Sequence, residues 1–227
     1  MPPLYLETRS IFEVSQVKKS DQVKISLMIS NPFFGRKRPE PSRPLPPGQY
    51  LEDGFPVLSA GPTPRVDLTS WQFSITQNGH SLGQWSWDQL NALPQTDLLT
   101  DLHCVTKWSK HDTNWRGVTF DTLFKSANID ERAGFVMAHC DGGYTTNLPL
   151  PDLLNGKGLL VHTYEGEPLA PEHGGPVRLL VPHLYLWKSA KWVNKIDLLE
   201  TDVPGFWEQY GYHMYGDPWK EQRYHGD

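Results

Sequence analysis

Alternation of apolar and polar residues marks the strands of this chain. Residues 71–76, Trp-Gln-Phe-Ser-Ile-Thr, alternate with a period of two, which is typical of a strand with one buried face. Further stretches rich in β-branched or aromatic residues predict strands at 102–107, 134–139, 158–164, 177–181 and 191–198. The pattern therefore predicts an α+β fold dominated by mixed β-sheet.

Three short helices are predicted between these strands. Ser86 can cap a helix that ends before a proline, with Gln89 as its capping-box partner three residues later. Thr119 begins a second capped segment, and residues 151–156 offer proline in the first turn and glycine at the end. The helices are too short to form a layer, so we expect them at the periphery of the sheets.

A proline-rich segment precedes the regular pattern. Residues 31–64 hold nearly half of the 20 prolines of the chain. Proline fixes φ and removes a hydrogen-bond donor, so we expect this segment to run extended over a surface, outside any sheet. We read residues 1–54 as an extended arm, with the basic run 36–38 as a solvated tether, and residues 55–227 as one folded domain that includes the C-terminal tail.

Charge and cysteine content narrow the function. The net charge of −5 comes from well-mixed residues, which argues against nucleic acid as a partner. The apolar run 23–29 is too short and polar to span a bilayer, and no basic export leader opens the chain, so we expect no membrane insertion. The two cysteines, Cys104 and Cys140, are too few for a disulfide scaffold, which favours a reducing, cytoplasmic location.

Cys104 is the candidate reactive group. Five residues that can carry positive charge surround it in sequence, and positive charge favours the thiolate: His103, Lys107, Lys110, His111 and Arg116. A lone cysteine is most often a buried hydrophobe, no nucleophile motif supports a protease-like site, and closely spaced zinc ligands are absent from the sequence. A soft thiolate ligand of a redox-active transition metal is the remaining reading.

Four blocks of sequence resemble the sulfite-oxidase-type molybdopterin-dependent oxidoreductases. They are Phe-Pro-Val-Leu at 55–58, Cys-Val-Thr-Lys-Trp-Ser at 104–109 with Trp-Arg-Gly-Val at 115–118, residues 166–182 with His-Gly-Gly-Pro-Val-Arg, and Trp-Lys-Ser-Ala-Lys-Trp-Val at 187–193. The resemblance implies a sulfite-oxidase-like molybdopterin-binding fold. It also implies a short member with the cofactor domain only, without the haem-binding and dimerisation domains of larger members.

The resemblance implies a cofactor site as well. Cys104 would be the sole protein ligand of molybdenum in a molybdenum–molybdopterin cofactor. The cofactor-binding residues implied are Phe55, Val57, Cys104, Cys140, His173, Arg178, Ser189, Ala190 and Lys191. Arg178 lies in an apolar run, where a guanidinium without an anion is costly to bury. The alternative for Arg178 is a core arginine paired with a carboxylate.

The sequence also departs from the sulfite-oxidising members. His162 stands where those members have a tyrosine near the metal, with Tyr164 two residues later, and Trp108 and Ser109 stand in place of paired arginines. The substrate is therefore left unassigned among sulfoxides, sulfite and other small oxyanions. The residues that we expect to act on it, with Cys104, are His111, Arg116, His162 and Tyr164.

The resemblance predicts oxygen-atom transfer at molybdenum cycling between the +6 and +4 states. Electrons would pass to or from an external carrier, either a haem protein or a flavoprotein. The alternative is a non-catalytic molybdopterin-binding or interaction protein with the same fold. A scaffold with no cofactor would leave Cys104, Arg178 and Lys191 unexplained.

The C-terminal tail, residues 205–219, is densely aromatic. Large rings at that density are expected to pack against the core. We expect the tail to cover a sheet edge. The alternative is a wall beside the metal pocket, lined by Tyr212 or His213.

Overall fold

Two mixed β-sheets form the framework of residues 40–130 and 133–227, the part of the chain that this computed structural model describes. In chain order the strands are β1 (Tyr50–Leu51), β2 (Gln72–Gln77), β3 (His80–Ser86), β4 (Thr96–His103), β5 (Trp108–Thr119), β6 (Phe135–Cys140), β7 (Thr145–Pro149), β8 (Leu159–Tyr164), β9 (Glu167–Pro168), β10 (Arg178–Leu180) and β11 (Val193–Leu199). The predicted α+β architecture with mixed sheets is confirmed.

The long strand β5 organises the six-stranded sheet. It pairs in parallel with β1 and antiparallel with β4 and β8, and β8 pairs in turn with β9 and β10. The five-stranded sheet has the order β3-β2-β11-β6-β7, in which β11 lies parallel to β2 and antiparallel to β6. Strand β7 is thus an edge strand.

The helices are short, and the predicted caps at Ser86 and Thr119 are confirmed. Helix α1 (Trp87–Ala92) begins after Ser86 with the full capping box, and α2 (Phe120–Ser126) begins after Thr119, whose side chain accepts from Thr122 N. A single 3₁₀ turn, Leu150–Asp152, replaces the helix predicted at 151–156. Helix α3 (Phe206–Gln209) starts the C-terminal tail. None of the helices in the described ranges is long and apolar enough to cross a membrane.

The strand predicted at 102–107 is wrong beyond His103, because the chain turns there. Strand β4 ends at His103, and Cys104 N donates to Trp108 O at 2.8 Å while Lys107 N donates to Cys104 O at 3.0 Å. Lys107 has a φ of +76°, outside the region that a strand allows. Cys104 therefore begins the tight turn between β4 and β5.

Part of the proline-rich arm joins a sheet, contrary to the expectation. Tyr50 and Leu51 pair in parallel with Trp108 and Ser109. Tyr50 N donates to Lys107 O at 2.9 Å. The arm thus adds a short strand at the start of β5. The runs 23–29 and 36–38 lie outside the described residues, and the boundary between arm and domain at 54/55 stays a prediction.

The six-stranded sheet buries both of its faces. On β8, Leu160 points into a large core shared with the five-stranded sheet, while Leu159 and Val161 point the other way. The second core, here called the Cys104 cluster, has the buried members Leu102, Cys104, Val105, Trp108, Trp115, Leu159, Val161, Leu169, Leu180, Tyr185 and Trp187. Phe55, Tyr164, Trp207 and Tyr212 pack against this cluster.

The tail covers the edge of the five-stranded sheet. Helix α3 packs against β7, and a Cβ added to Gly205 would lie 2.5 Å from Thr146 Cα. Tyr210 and Trp219 remain 72% and 54% exposed, so not every ring is buried. The expected packing of the tail against the core is nevertheless present, with other tail residues in contact with the Cys104 cluster.

Candidate active site

The turn after β4 presents the Cys104 thiol inside the Cys104 cluster. Cys104 is 6% exposed, and its Sγ lies 3.1 Å from Thr106 Oγ1. Gln49 Nε2 donates to the Cys104 carbonyl oxygen at 3.1 Å, which ties the arm to the turn. Hydrogen bonds of the turn and of Gln49 thus fix the Cys104 backbone, and the Thr106 hydroxyl contacts the thiol.

The positively charged residues that interact with the thiol are distant from Cys104 in sequence. Burial raises the pKa of Cys104, opposed by the Thr106 hydrogen bond and by Arg178 and Arg223. His103 is itself buried, which lowers its pKa to about 4 and leaves it neutral at pH 7. The other sequence neighbours bond elsewhere: Lys110 Nζ donates to the Asp53 carbonyl, and Arg116 Nη1 donates to the Asp97 carboxylate.

Arg178 is buried on the Cys104 side of the sheet. It shares a face of β10 with Leu180, a member of the Cys104 cluster, and is 2% exposed. Its Nη1 donates to His173 O at 2.9 Å, while its Nε has no hydrogen-bond partner among the described residues. Burial lowers the pKa of Arg178 to about 10, opposed by Cys104, Tyr144 and Cys140. No carboxylate pairs with it within the described ranges, so the core-ion-pair alternative finds no support.

Three groups that can be positively charged meet at this face. Burial and the Arg178 charge lower the pKa of Lys191 to about 8, and burial, Arg178 and Lys191 lower the pKa of His173. His173 Nδ1 is buried without a hydrogen-bond partner among described residues. The Phe55 ring stacks on His173 with centroids 4.1 Å apart, and the Arg178 guanidinium lies 5.9 Å from the Phe55 centroid. Because these three groups repel one another when charged, an anion bound between them would be favourable, and the cluster is a candidate anion-binding site.

The backbone around these side chains approaches closely. Gly174 has a φ of +111°, and an added Cβ would lie 3.1 Å from Lys191 Cα. Lys191 Nζ donates to Leu58 O at 2.7 Å and Glu172 O at 2.6 Å. Ser189 Oγ accepts from Val181 N at 2.9 Å, and Ala190 O accepts from Leu179 N at 2.9 Å. The segment 189–191 is thereby fixed against β10.

Two further predicted cofactor residues differ in their settings. Cys140, at the end of β6, is 6% exposed, and burial first, then Asp141, raises its pKa while Arg178 opposes the shift. Val57 is 50% exposed, next to the Leu58 carbonyl that Lys191 binds. Cys104, Cys140 and Lys191 thus all interact electrostatically with Arg178, and the stacked rings of Phe55 and His173 lie beside the guanidinium.

The four residues predicted to act on substrate do not lie together. Tyr164 packs against the Cys104 cluster, 5.1 Å from the Phe55 ring and 4.7 Å from the Trp115 ring. His162 bonds to Gln95 Oε1 at 2.8 Å and lies 5.8 Å from the Trp87 ring, which packs on the large core at the opposite face.

Arg116 and His111 are paired with carboxylates outside the Cys104 cluster. Arg116 Nη1 lies 2.8 Å from Asp97 Oδ2, with both side chains exposed, and His111 Nε2 lies 3.9 Å from Asp101 Oδ2. The roles of Arg116, His111 and His162 near the metal stay predictions.

Sequence reasoning missed Arg223, which lies beside the turn. Its Nη1 donates to Val105 O at 2.7 Å, and its guanidinium lies 5.0 Å from the Tyr185 ring centroid. Arg223 and Val105 are 118 residues apart in sequence, so no local pattern could indicate the contact. Arg223 also lies outside all four blocks that carry the family resemblance.

Comparison with known proteins decides the family. Residues 60–207 match the family described as the oxidoreductase molybdopterin binding domain. The chain belongs to this family. It is a molybdopterin-binding oxidoreductase with a sulfite-oxidase-like fold.

Relatives of known sequence agree with the family assignment. The chain is 43% identical over 197 residues to an uncharacterized oxidoreductase, YuiH, of Bacillus subtilis, covering 86% of this chain and all of that protein. It is 28% identical to a putative protein-methionine-sulfoxide reductase subunit, YedZ1, of Azospira oryzae, covering 77% of this chain and 64% of that one. It is also 28% identical to a protein-methionine-sulfoxide reductase catalytic subunit, MsrP, of Gluconobacter oxydans, covering 52% and 44%.

A solved structure shares the fold. The sulfane dehydrogenase SoxCD of Paracoccus pantotrophus superposes with a TM-score of 0.54 at 17% sequence identity, covering 61% of this chain and 40% of that one. At this identity the likeness establishes the architecture alone. The family and the fold were both predicted from the sequence and are confirmed.

Proposed function

We propose that this chain is a molybdenum–molybdopterin oxidoreductase whose single protein ligand to the metal is Cys104. The observation that carries the proposal is the buried Arg178, which has no carboxylate partner among the described residues and lies on the same face as the Cys104 thiol, with His173 and Lys191 beside it. A buried guanidinium without an anion is unfavourable, and a pterin that ends in a phosphate supplies the anion.

The residues fit such a cofactor. Cys104 would ligate the metal through a soft thiolate, and Arg178, His173 and Lys191 would bind the phosphate or the pterin. Phe55, Val57, Cys140, Ser189 and Ala190 would complete the pocket, and the close approach of Gly174 to Lys191 would hold the lysine in place. When bound, the cofactor supplies two-electron oxygen-atom transfer.

The chain's own contribution to the reaction is positioning and exclusion of water. The thiol sits in a cluster lined by Trp108, Trp115 and Trp187, all less than 10% exposed. Electrostatic attraction is stronger in an apolar setting than in water. The buried Arg178 would therefore attract an anion more strongly than an exposed arginine would. Tyr164, which packs against the same cluster, is the residue from the predicted substrate group that we propose to face the site.

The substrate is a small sulfur compound or oxyanion. In the reducing direction a sulfoxide, two electrons and two protons give a thioether and water. In the oxidising direction sulfite and water give sulfate, two electrons and two protons. The names of two relatives support the sulfoxide direction.

Electrons would be exchanged with a separate protein, either a haem protein or a flavoprotein. Two relatives are named as subunits, which supports a partner in the electron path. We further propose a cytoplasmic location, supported by two free, buried thiols at Cys104 and Cys140. Fractionation of cells that express the tagged chain tests the location.

Turnover by purified protein tests the proposed activity. The protein is produced in a host that makes molybdopterin and assayed with methionine sulfoxide plus reduced benzyl viologen, and with sulfite plus ferricyanide. We expect turnover in one of the two assays, reduced to background in Cys104→Ser. No turnover in either assay by protein that holds the cofactor would favour the alternative of a non-catalytic molybdopterin-binding protein.

A further inference from the structure

The C-terminal tail is fastened to the fold by a buried ion pair. Lys188 Nζ lies 2.6 Å from Glu208 Oε1, and neither side chain is exposed. Lys188 Nζ also donates to Asn147 Oδ1 at 2.8 Å and Met214 O at 2.7 Å. Because Glu208 lies on α3 and Asn147 on β7, the pair joins the tail to the edge strand.

The same pair fixes Trp187 in the wall of the Cys104 cluster. Trp187 Nε1 donates to Glu208 Oε1 at 2.9 Å, and its carbonyl oxygen accepts from Tyr144 Oη at 2.7 Å. The Trp187 ring stacks on Tyr185 with centroids 5.3 Å apart. A Cβ added to Gly216 would lie 2.7 Å from the Trp187 ring, so the tail closes over it. Contacts with Glu208, Tyr144, Tyr185 and Gly216 thus fix the position of Trp187.

Tyr212 lies against this fixed ring. Its ring packs edge-on to Trp187 at 5.1 Å, stacks on Trp207 at 5.1 Å and meets Tyr224 edge-on at 5.5 Å. Tyr212 N donates to Trp207 O at 3.0 Å. The ring therefore has three aromatic contacts and a backbone hydrogen bond to define its orientation.

The Tyr212 hydroxyl is available to a ligand. Tyr212 is half-buried and packs against the Cys104 cluster. A phenol is protonated at neutral pH, so the Tyr212 hydroxyl can donate a hydrogen bond. Its hydroxyl makes no hydrogen bond to any residue in the described ranges. By contrast, the hydroxyl of Tyr144 is used by the Trp187 carbonyl.

We propose that the Tyr212 hydroxyl, brought to the site by the C-terminal tail, is a hydrogen-bond donor to the oxygen atom that is transferred beside Cys104. Lys188 and Glu208 are positioning residues that act through Trp187. This inference rests on the proposed function, since it needs a metal at Cys104. The C-terminal tail would then take part in the reaction and also cover the edge of the five-stranded sheet.

The test uses the cofactor-loaded full chain and the Tyr212→Phe variant, which removes one oxygen atom from a half-buried position. Proton electron–nuclear double resonance at the Mo(V) state, compared between H₂O and D₂O, detects exchangeable protons close to the metal. We expect one such coupling to disappear in Tyr212→Phe. We also expect kcat on any accepted substrate to fall about a hundredfold, the usual effect of losing one such donor. Tyr210→Phe, at a neighbouring exposed tyrosine, is the matched control and keeps both.

The outcomes separate the two proposals. Wild-type protein without molybdenum would contradict the proposed function, and the role of Tyr212 with it. Molybdenum at wild-type level in Tyr212→Phe with the proton coupling unchanged would overturn the role of Tyr212 alone. Loss of molybdenum in Tyr212→Phe would also overturn it, by making Tyr212 part of the cofactor pocket.

Discussion

Lys188 and Glu208 form an ion pair 2.6 Å long with no exposed surface on either side chain. Glu208 Oε2 has no hydrogen-bond partner among the described residues, so the carboxylate depends on Oε1 for its contacts. Lys188 Nζ and Trp187 Nε1 both bind that oxygen. The pair therefore connects the 3₁₀ turn Leu186–Lys188 to the tail at one atom.

Removing one partner of this pair should destabilise the protein strongly. Glu208→Gln leaves the Lys188 ammonium buried without a counter-charge, and we expect a loss of about 3 to 5 kcal/mol in the free energy of unfolding. Urea unfolding measures the change. Asp97→Asn is the control, since it breaks the exposed pair with Arg116 and should cost under about 1 kcal/mol. Equal losses in the two variants would contradict a structural role for the buried pair.

Gly117 has no room for a side chain. A Cβ added there would lie 2.0 Å from Leu160 O and 2.6 Å from Val161 Cα, where β5 pairs with β8. We expect Gly117→Ala to destabilise the fold by about 3 kcal/mol or more, measured by thermal unfolding. Gly61→Ala, where nothing lies within 4 Å of the added atom, should leave the melting temperature unchanged. A Gly117→Ala variant as stable as the wild type would show that the two strands separate easily.

Replacing Arg178 should reduce cofactor binding more than it reduces the stability of the fold. Arg178→Met removes a buried cation with no carboxylate partner, so we expect the apoprotein to keep or gain thermal stability. Released pterin fluorescence should fall to under about a tenth of wild type, as for loss of a strong charge-assisted contact. Arg65→Gln, at an exposed arginine, should keep the pterin. A marked loss of thermal stability in Arg178→Met, with pterin at the wild-type level, would contradict the assignment of Arg178 to cofactor binding.

Asp152 should contribute to stability above acid pH. Burial alone would raise the pKa of Asp152, but hydrogen bonds from His183 and Tyr215 and the charges of His183 and Lys157 hold it below its ordinary value. Because the folded pKa lies below the unfolded one, the unfolded chain binds the proton first as the pH falls. The contribution is present above about pH 5 and is lost progressively below it.

Replacement of Asp152 tests this pH dependence. Asp152→Asn should be less stable than wild type at pH 7, and its stability should fall less steeply between about pH 5 and pH 3. Unfolding by urea at a series of pH values measures both. Glu167→Gln, at an exposed carboxylate, should follow the wild-type profile. A parallel profile for Asp152→Asn would contradict the linkage.

The regular parts of the fold were predictable because their causes are local. The α1 capping box at Ser86 and Gln89 and the strand at 158–164 depend on residues within one short window, and both are confirmed. The turn at Cys104 was missed because Val105 and Thr106 favour strands locally. The positive φ of Lys107 and the pairing of Trp108 with Tyr50 decide the conformation there instead.

The candidate site was predictable only in part. Cys104, Arg178 and Lys191 could be named because they lie in motifs that resemble a family, and the structure brings them to one place. The contacts of Arg223 and Glu208 with the site span long separations in sequence, and Tyr212 reaches it through the packing of the tail. Such contacts follow from the tertiary fold, which short patterns do not encode.

The most direct test of the central claim is the number of sulfur atoms bound to molybdenum, measured by molybdenum K-edge X-ray absorption on wild-type protein and on Cys104→Ser, both purified from a host that makes molybdopterin. Cys140→Ser, at an equally buried thiol that would line the pocket without binding the metal, is the matched variant. We expect one sulfur ligand fewer in a folded Cys104→Ser than in wild type and in Cys140→Ser. A wild-type sulfur count in Cys104→Ser would contradict the assignment of Cys104 as the metal ligand.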